Sequence, residues 1–222
     1  KKGVEACEAF LKEVETLKDT FKPDLSTYNI LLQGYVNEKK FEQIDIILRE
    51  RMLKNNMRPD SYTQSFLLLA YLKSGQFADF KEMLEYLITS KQLTIENLRD
   101  VLNFYSIQIA KPIEAIGIMR SLQKHNVQLD ADCYAIVMTG LAKQGQENHC
   151  RLMYEEMLRE KIEPNSYACS AYMNVLVAHQ KYTEAFKLLH SMPRLYIEPT
   201  TILINSLNPT TKLHVIENIL NL

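Results

Sequence analysis

The sequence predicts an all-α chain, an α-solenoid of about five helix-turn-helix repeats with a 35-residue period, wound as a right-handed superhelix. Three observations carry this expectation. The segment Ala131 to Asn165 lies over Ser166 to Thr200 without a gap, both copies closing on Glu-Pro (Glu163-Pro164, Glu198-Pro199) and placing Met at one late slot (Met157, Met192). No window shows the sustained period-two alternation of a half-buried strand. Within most units an uncharged segment precedes a charged one, as expected when one helix of a pair is inner and the other faces water. A period of this length marks stacked supersecondary units, each contacting mainly its neighbours.

Residues 1–24 hold the second helix of a truncated preceding repeat, with Val4, Cys7, Phe10, Leu11, Val14 and Leu17 at helical spacing. Pro23 ends it, because the residue before Pro is pushed out of the helical region, and Asp24 can cap the next helix. Repeat 1 is 25–60, with one residue inserted near Arg51; repeat 2 is 61–95. In both, the first helix (near 26–36 and 61–72) carries no charge, whereas the second holds Glu42, Asp45 and Arg49, or Asp79, Lys81 and Glu82. Repeat 3, 96–130, is divergent: its first helix carries Glu96, Arg99 and Asp100, and Pro112 opens its second, where a missing N–H costs nothing. Repeats 4 and 5 are 131–165 and 166–200, and 201–222 is a partial repeat or closing helix, interrupted at Pro209. The Pro slot is filled at 23, 59, 164 and 199 and lost at Thr94 and Leu129. Gly75 and Gly145 sit between the two helices of their units, where a positive φ can end a helix. The second helices keep a small or apolar residue at one slot (Ala9, Ile44, Phe80, Ala115, Cys150, Ala185), as close packing requires.

Charge and cysteines exclude rather than assign. The formal net charge is −1 over 222 residues, so no global basic field announces nucleic acid. Cys7, Cys133, Cys150 and Cys169 show no Cys-x-x-Cys spacing and fall in helical segments, against a disulfide framework or a zinc site. No stretch of about 18 apolar residues is present, so no membrane span is expected. The chain opens on Lys1 in the second half of a repeat, and is expected to be part of a longer protein whose targeting segment lies elsewhere.

The run Leu25-Ser26-Thr27-Tyr28-Asn29-Ile30-Leu31-Leu32, followed by Met57-Arg58-Pro59-Asp60, resembles the pentatricopeptide repeat, whose units open V-x-T-Y-N-x-L-I and close on Pro-Asp. The tetratricopeptide repeat has a 34-residue period and a W-x-x-L-G-x-x-Y signature that no unit here carries. The resemblance implies first helices lining a groove that binds single-stranded RNA, one repeat to a base. It further implies a role in mitochondrial transcript processing, stability or translation, and location in the mitochondrial matrix.

In that family the fifth and last residues of a unit read the base. The resemblance thus implies the pairs Asn29 with Asp60, Ser65 with Ile95, Asp100 with Asp130, Ala135 with Asn165, and Ser170 with Thr200. The first pair makes chemical sense, because an amide offers both donor and acceptor to a pyrimidine edge, and the resemblance implies uracil there. Ile95 and Ala135 offer neither, and the carboxylates of Asp100 and Asp130 would repel a nearby phosphate. Tyr62 and Tyr167 are candidates to stack on bases, and Lys73 and Lys143, at equivalent helix ends, to meet the backbone. A helical-repeat surface also suits other proteins, so a scaffold role within an organellar ribonucleoprotein complex is the alternative.

No Gly-rich phosphate loop, H-E-x-x-H or G-x-S-x-G is present, and the five histidines are scattered, so no catalytic residue, cofactor or metal site is expected in this span. His149-Cys150 is the one tempting pair, but Cys150 occupies the small core slot.

Overall fold

The structure is a computed structural model that describes residues 5, 6, 8, 9, 12, 23–52, 56–192 and 194–207. Residues 5, 6, 8, 9 and 12 are helical; the rest of the helix expected over 4–20, and that expected over 213–222, lie outside the described residues. Every regular element among the described residues is helical. The chain divides into two compact units, 1–97 and 98–222.

In the first unit α1 (Leu25–Glu38) is followed by α2 (Phe41–Ile46), which runs on as a π-helical segment (Ile47–Met52), then α3 (Ser61–Ser74) and α4 (Phe77–Thr89). Helix α1 packs against α2 and α3, and α3 against α4. Tyr28, Leu32, Ile44, Met52 and Phe66 form the centre of this core. Full burial stabilises each such aliphatic side chain by about 1.5–3 kcal/mol.

Helix α5 (Ile95–Asn103) crosses the division and continues as a second π-helical segment, Phe104–Gln108. The second unit then contains α6 (Pro112–Lys124), α7 (Ala131–Lys143), α8 (Glu147–Arg159), α9 (Ser166–Ala178), α10 (Tyr182–Ser191) and α11 (Ile197–Ser206). First helices stack on first helices, α7 on α9 and α9 on α11, with α8 and α10 behind them. The charge asymmetry of the sequence predicts this: α9 buries seven of its 13 residues, while α8 buries only Cys150, Met153, Tyr154 and Met157. The small-residue slot is core at Ile44, Phe80, Ala115, Cys150 and Ala185, but Ala9 is exposed.

Helix starts and turns show how each repeat is punctuated. Asp24, Asp60, Asp130 and Asn165 cap α1, α3, α7 and α9, each side chain accepting the N–H three residues on. Thr94 does the same for α5, accepting the Asn97 N–H at 3.2 Å. The turn between paired helices holds a positive-φ residue in every repeat: Lys39, Gly75, Ala110, Gly145 and Gln180. From cap to turn, Asp24 to Lys39, Asp60 to Gly75, Asp130 to Gly145 and Asn165 to Gln180 are each fifteen positions, but Thr94 to Ala110 is sixteen. The extra residue is absorbed by the π-helical segment at Phe104–Gln108, as a single insertion into a helix usually is. The insertion expected near Arg51 is absorbed likewise at Ile47–Met52.

Repeat 3 therefore hides two changes that cancel. One residue is missing from the loop before Thr94 and one is added in the helix after it, so the 35-residue frame survives while the local register slips by one. Ile95 is the first residue of α5 and not the cap before it.

Candidate nucleic-acid interface

Five positions beyond the caps stand Asn29, Ser65, Arg99, Ala135 and Ser170. The slipped register puts Arg99 in the place that the sequence frame assigned to Asp100, and Thr94 in the place assigned to Ile95. Asp100 is exposed one position further along α5.

Asn29 lies on α1 and is 5 % exposed, yet its amide is engaged. The Thr63 hydroxyl lies 2.7 Å from Asn29 Oδ1 and equally 2.7 Å from Asp60 Oδ1, so its one proton can serve only one of them at a time. Asn29 Nδ2 donates weakly to Asp60 Oδ1 at 3.5 Å, and the Thr63 N–H donates to the same oxygen at 2.8 Å. Burial pushes the Asp60 carboxyl up, but these hydrogen bonds outweigh it and hold the group below its ordinary value. The cap of α3 thus also orients the amide on α1. One amide hydrogen and one carbonyl lone pair remain for a ligand.

Arg99 repeats this relationship with different chemistry. Its Nη2 pairs with Asp130, the cap of α7, and lies 3.0 Å from Asp132 Oδ2. Asp132 Oδ1 in turn accepts from Asn165 Nδ2, the cap of α9, at 2.7 Å. Two carboxylates, a guanidinium and an amide form one chain of contacts. The Asp130 carboxyl is raised by burial and lowered further by Arg99 and the Cys133 N–H, with a net downward shift. Arg99, which the sequence frame left out of this pair, thus offsets one of the two carboxylates, Asp130 and Asp132, that it meets.

Sequence models of the family match in three places: the PPR repeat family over residues 23–73, the PPR repeat over 132–162, and the pentatricopeptide repeat domain over 152–208, together more than half of the chain. The chain belongs to the pentatricopeptide repeat family. A pentatricopeptide repeat-containing protein of Arabidopsis thaliana is 27 % identical over 180 residues, covering 78 % of this chain and 34 % of that protein. The crystal structure of the pentatricopeptide repeat protein PPR10 from maize aligns with 98 % of this chain and 36 % of its own, with a TM-score of 0.57 at 16 % identity. PPR10 in complex with an 18-nt psaJ RNA element aligns with 91 % of this chain and 35 % of its own, with a TM-score of 0.50 at 16 % identity. The chain spans about a third of the length of these relatives. The fold they share is the α-solenoid of paired helices.

The remaining sites of this pentatricopeptide repeat array are uneven. The Ser65 side chain lies outside the described residues. Ala135 is buried and presents nothing polar, while Asn165 spends its oxygen on the Ala168 N–H at 2.9 Å and its nitrogen on Asp132. Ser170 Oγ is buried with no partner. Thr200 departs from the frame: α11 starts at Ile197, so Thr200 lies inside the helix, buried, its hydroxyl donating to the Tyr196 carbonyl at 2.7 Å. It caps nothing, since the helix begins three residues before it.

Tyr62 and Tyr167 share the second position beyond their caps and are 55 % and 66 % exposed. Tyr62 meets Phe66 edge to face at 4.7 Å, which steadies its ring. Lys73 and Lys143 close α3 and α7, and neither is in an ion pair among the described residues.

Cys133, Cys150 and Cys169 are buried and unbridged. Burial pushes the Cys150 thiol up to about 12, which removes the thiolate that a nucleophile or metal ligand needs. Among the described residues no three His, Cys, Asp or Glu side chains are grouped to hold a metal ion, and no helix is long and apolar enough to cross a membrane.

Thr63, Arg99 and Asp132 are the members of these networks that the sequence frame misses. A signal for the slip was present. Ile95 has no side-chain oxygen and cannot cap a helix, whereas its neighbour Thr94 can.

Proposed function

We propose that the chain binds single-stranded RNA along its first helices, in mitochondrial transcript processing, stability or translation. The observation that carries RNA binding is the Asn29–Thr63–Asp60 network, in which an amide from one repeat is fixed by the cap of the next with a donor and an acceptor left over. The RNA complex of PPR10, a protein of the same fold, supports it. The mitochondrial matrix and the step in RNA metabolism rest on the family resemblance.

Asn29 with Asp60 reads a uracil, Tyr62 and Tyr167 offer ring faces to neighbouring bases, and Lys73 and Lys143 meet phosphates without base preference. Fluorescence anisotropy on uracil-containing and uracil-free oligomers tests this. Asn29→Ala should weaken the uracil-containing strand by about 1–3 kcal/mol and leave the other nearly unchanged. Lys73→Ala should weaken both alike and flatten the salt slope. Absence of RNA binding by the intact chain at low salt would rule the reading out.

A second reading, a scaffold for proteins of an organellar ribonucleoprotein complex, is favoured by repeats 3 and 4. There Arg99 is tied to two carboxylates and Ala135 is apolar, so little is left to read a base.

A further inference from the structure

The first unit also holds a cleft between the paired helices of repeat 2. Gln64, Leu67 and Tyr71 line it from α3, at the i, i+3, i+7 spacing of one helix face. Asp79, Glu82, Met83 and Tyr86 line it from α4, at i, i+3, i+4, i+7, again a single face. Arg58 and Pro59 complete the lining.

Its chemistry is that of an acceptor site. Gln64 is 8 % exposed, and its Oε1 is buried with no hydrogen-bond partner, although the side chain lines the cleft. Folding seldom leaves such an oxygen unmatched, and here it is an acceptor open to a donor brought into the cleft. Asp79 and Glu82 add two carboxylates that are in no ion pair among the described residues. Met83, Tyr71 and Tyr86 supply sulfur and ring surface, suited to a flat cation. Arg58 is the one positive group in the lining, so acidic side chains outnumber basic ones two to one.

We propose that this cleft binds the guanidinium of an arginine side chain carried by a partner polypeptide. A guanidinium has five N–H donors in a plane and no acceptor, which matches two carboxylates and an orphaned amide oxygen beside aromatic rings. An RNA phosphate has the opposite character: it would find two carboxylates and an acceptor where it needs donors. The site thus uses residues other than the RNA-reading ones, and the chain engages RNA on one set of residues and protein on another.

The test is a ¹H–¹⁵N NMR titration of the whole chain with the capped peptide Gly-Arg-Gly, compared with peptides carrying citrulline or lysine in place of arginine. Saturable shifts are expected at the Gln64, Glu82 and Tyr86 amides, with citrulline, neutral and of the same shape, binding about ten-fold more weakly. Glu82→Gln should weaken the arginine peptide several-fold, and Arg58→Ala, which removes a like charge, should tighten it. The dispersion of the same spectra shows that each variant is folded. Equal binding of arginine and citrulline, tighter binding of lysine, or no saturable shift would each overturn the proposal. So would inorganic phosphate shifting these amides in the wild type and losing that effect in Arg58→Ala.

Discussion

Arg99 on α5 pairs with Asp130, the cap of α7, across 31 positions of sequence. Both side chains are about a third exposed, at 36 % and 35 %, so solvent screens the pair and holds its contribution to about 1 kcal/mol. Because the folded Asp130 carboxyl titrates below its ordinary value, its contribution is complete at neutral pH, above about 3.9, and is lost as the pH falls through the folded value. Asp130→Asn keeps a capping side chain and removes the charge. Urea denaturation should show the variant about 1 kcal/mol less stable at pH 7. The gap should close only as the pH falls through the folded carboxyl's own value, below the ordinary aspartate range.

Gly140 and Gly117 should respond to alanine with opposite signs. A Cβ on Gly140 would stand 2.6 Å from the Ser106 carbonyl oxygen and 2.8 Å from Ser106 Cβ, so α7 and the π-helical segment would have to separate. Overpacking of this kind costs about 1–3 kcal/mol, more than the helix propensity alanine brings. A Cβ on Gly117 in α6 meets nothing within 4 Å, and Gly117→Ala should stabilise by about 0.5–1 kcal/mol. Thermal melts that moved both variants the same way would contradict the packing described.

Ala110 holds the turn of repeat 3 at φ +55°, where Gly75 and Gly145 serve their own repeats at +80° and +65°. A left-handed conformation costs an alanine about 1–2 kcal/mol that a glycine avoids. Ala110→Gly should therefore raise stability by about 1 kcal/mol, since the gain exceeds glycine's larger loss of unfolded-chain entropy. Gly145→Ala should lower it by a similar amount. Chemical denaturation of the two variants checks the sign of each.

The repeat itself was legible from the order of residues. A 35-residue period, gapless from 131 to 200, an uncharged helix before a charged one, and the cap at Asp24 come from local chemistry, because capping and amphipathicity act within a turn or two of helix; Asp60, Asp130 and Asn165, read there as base-facing residues, prove to be caps as well. Gly75 and Gly145 mark their turns for the same reason. At repeat 3 the residue count misleads. A deletion before Thr94 and a π-helical insertion at Phe104–Gln108 leave the period intact while moving every side chain between them by one place, so Arg99 takes the slot assigned to Asp100.

Which side chains meet was settled by the stacking of helices in three dimensions. Asn29 finds Thr63 and Asp60, and Arg99 finds Asp130 and Asp132, over separations of about one repeat. Those contacts depend on how neighbouring helices pack, which a period in one dimension does not specify. The same holds for Thr200, drawn into α11 when that helix began at Ile197, and for Gln64, whose oxygen is orphaned by the packing of α3 against α4. A helix start is set by the balance between its cap and the surface it can bury, and that surface belongs to the neighbouring repeat.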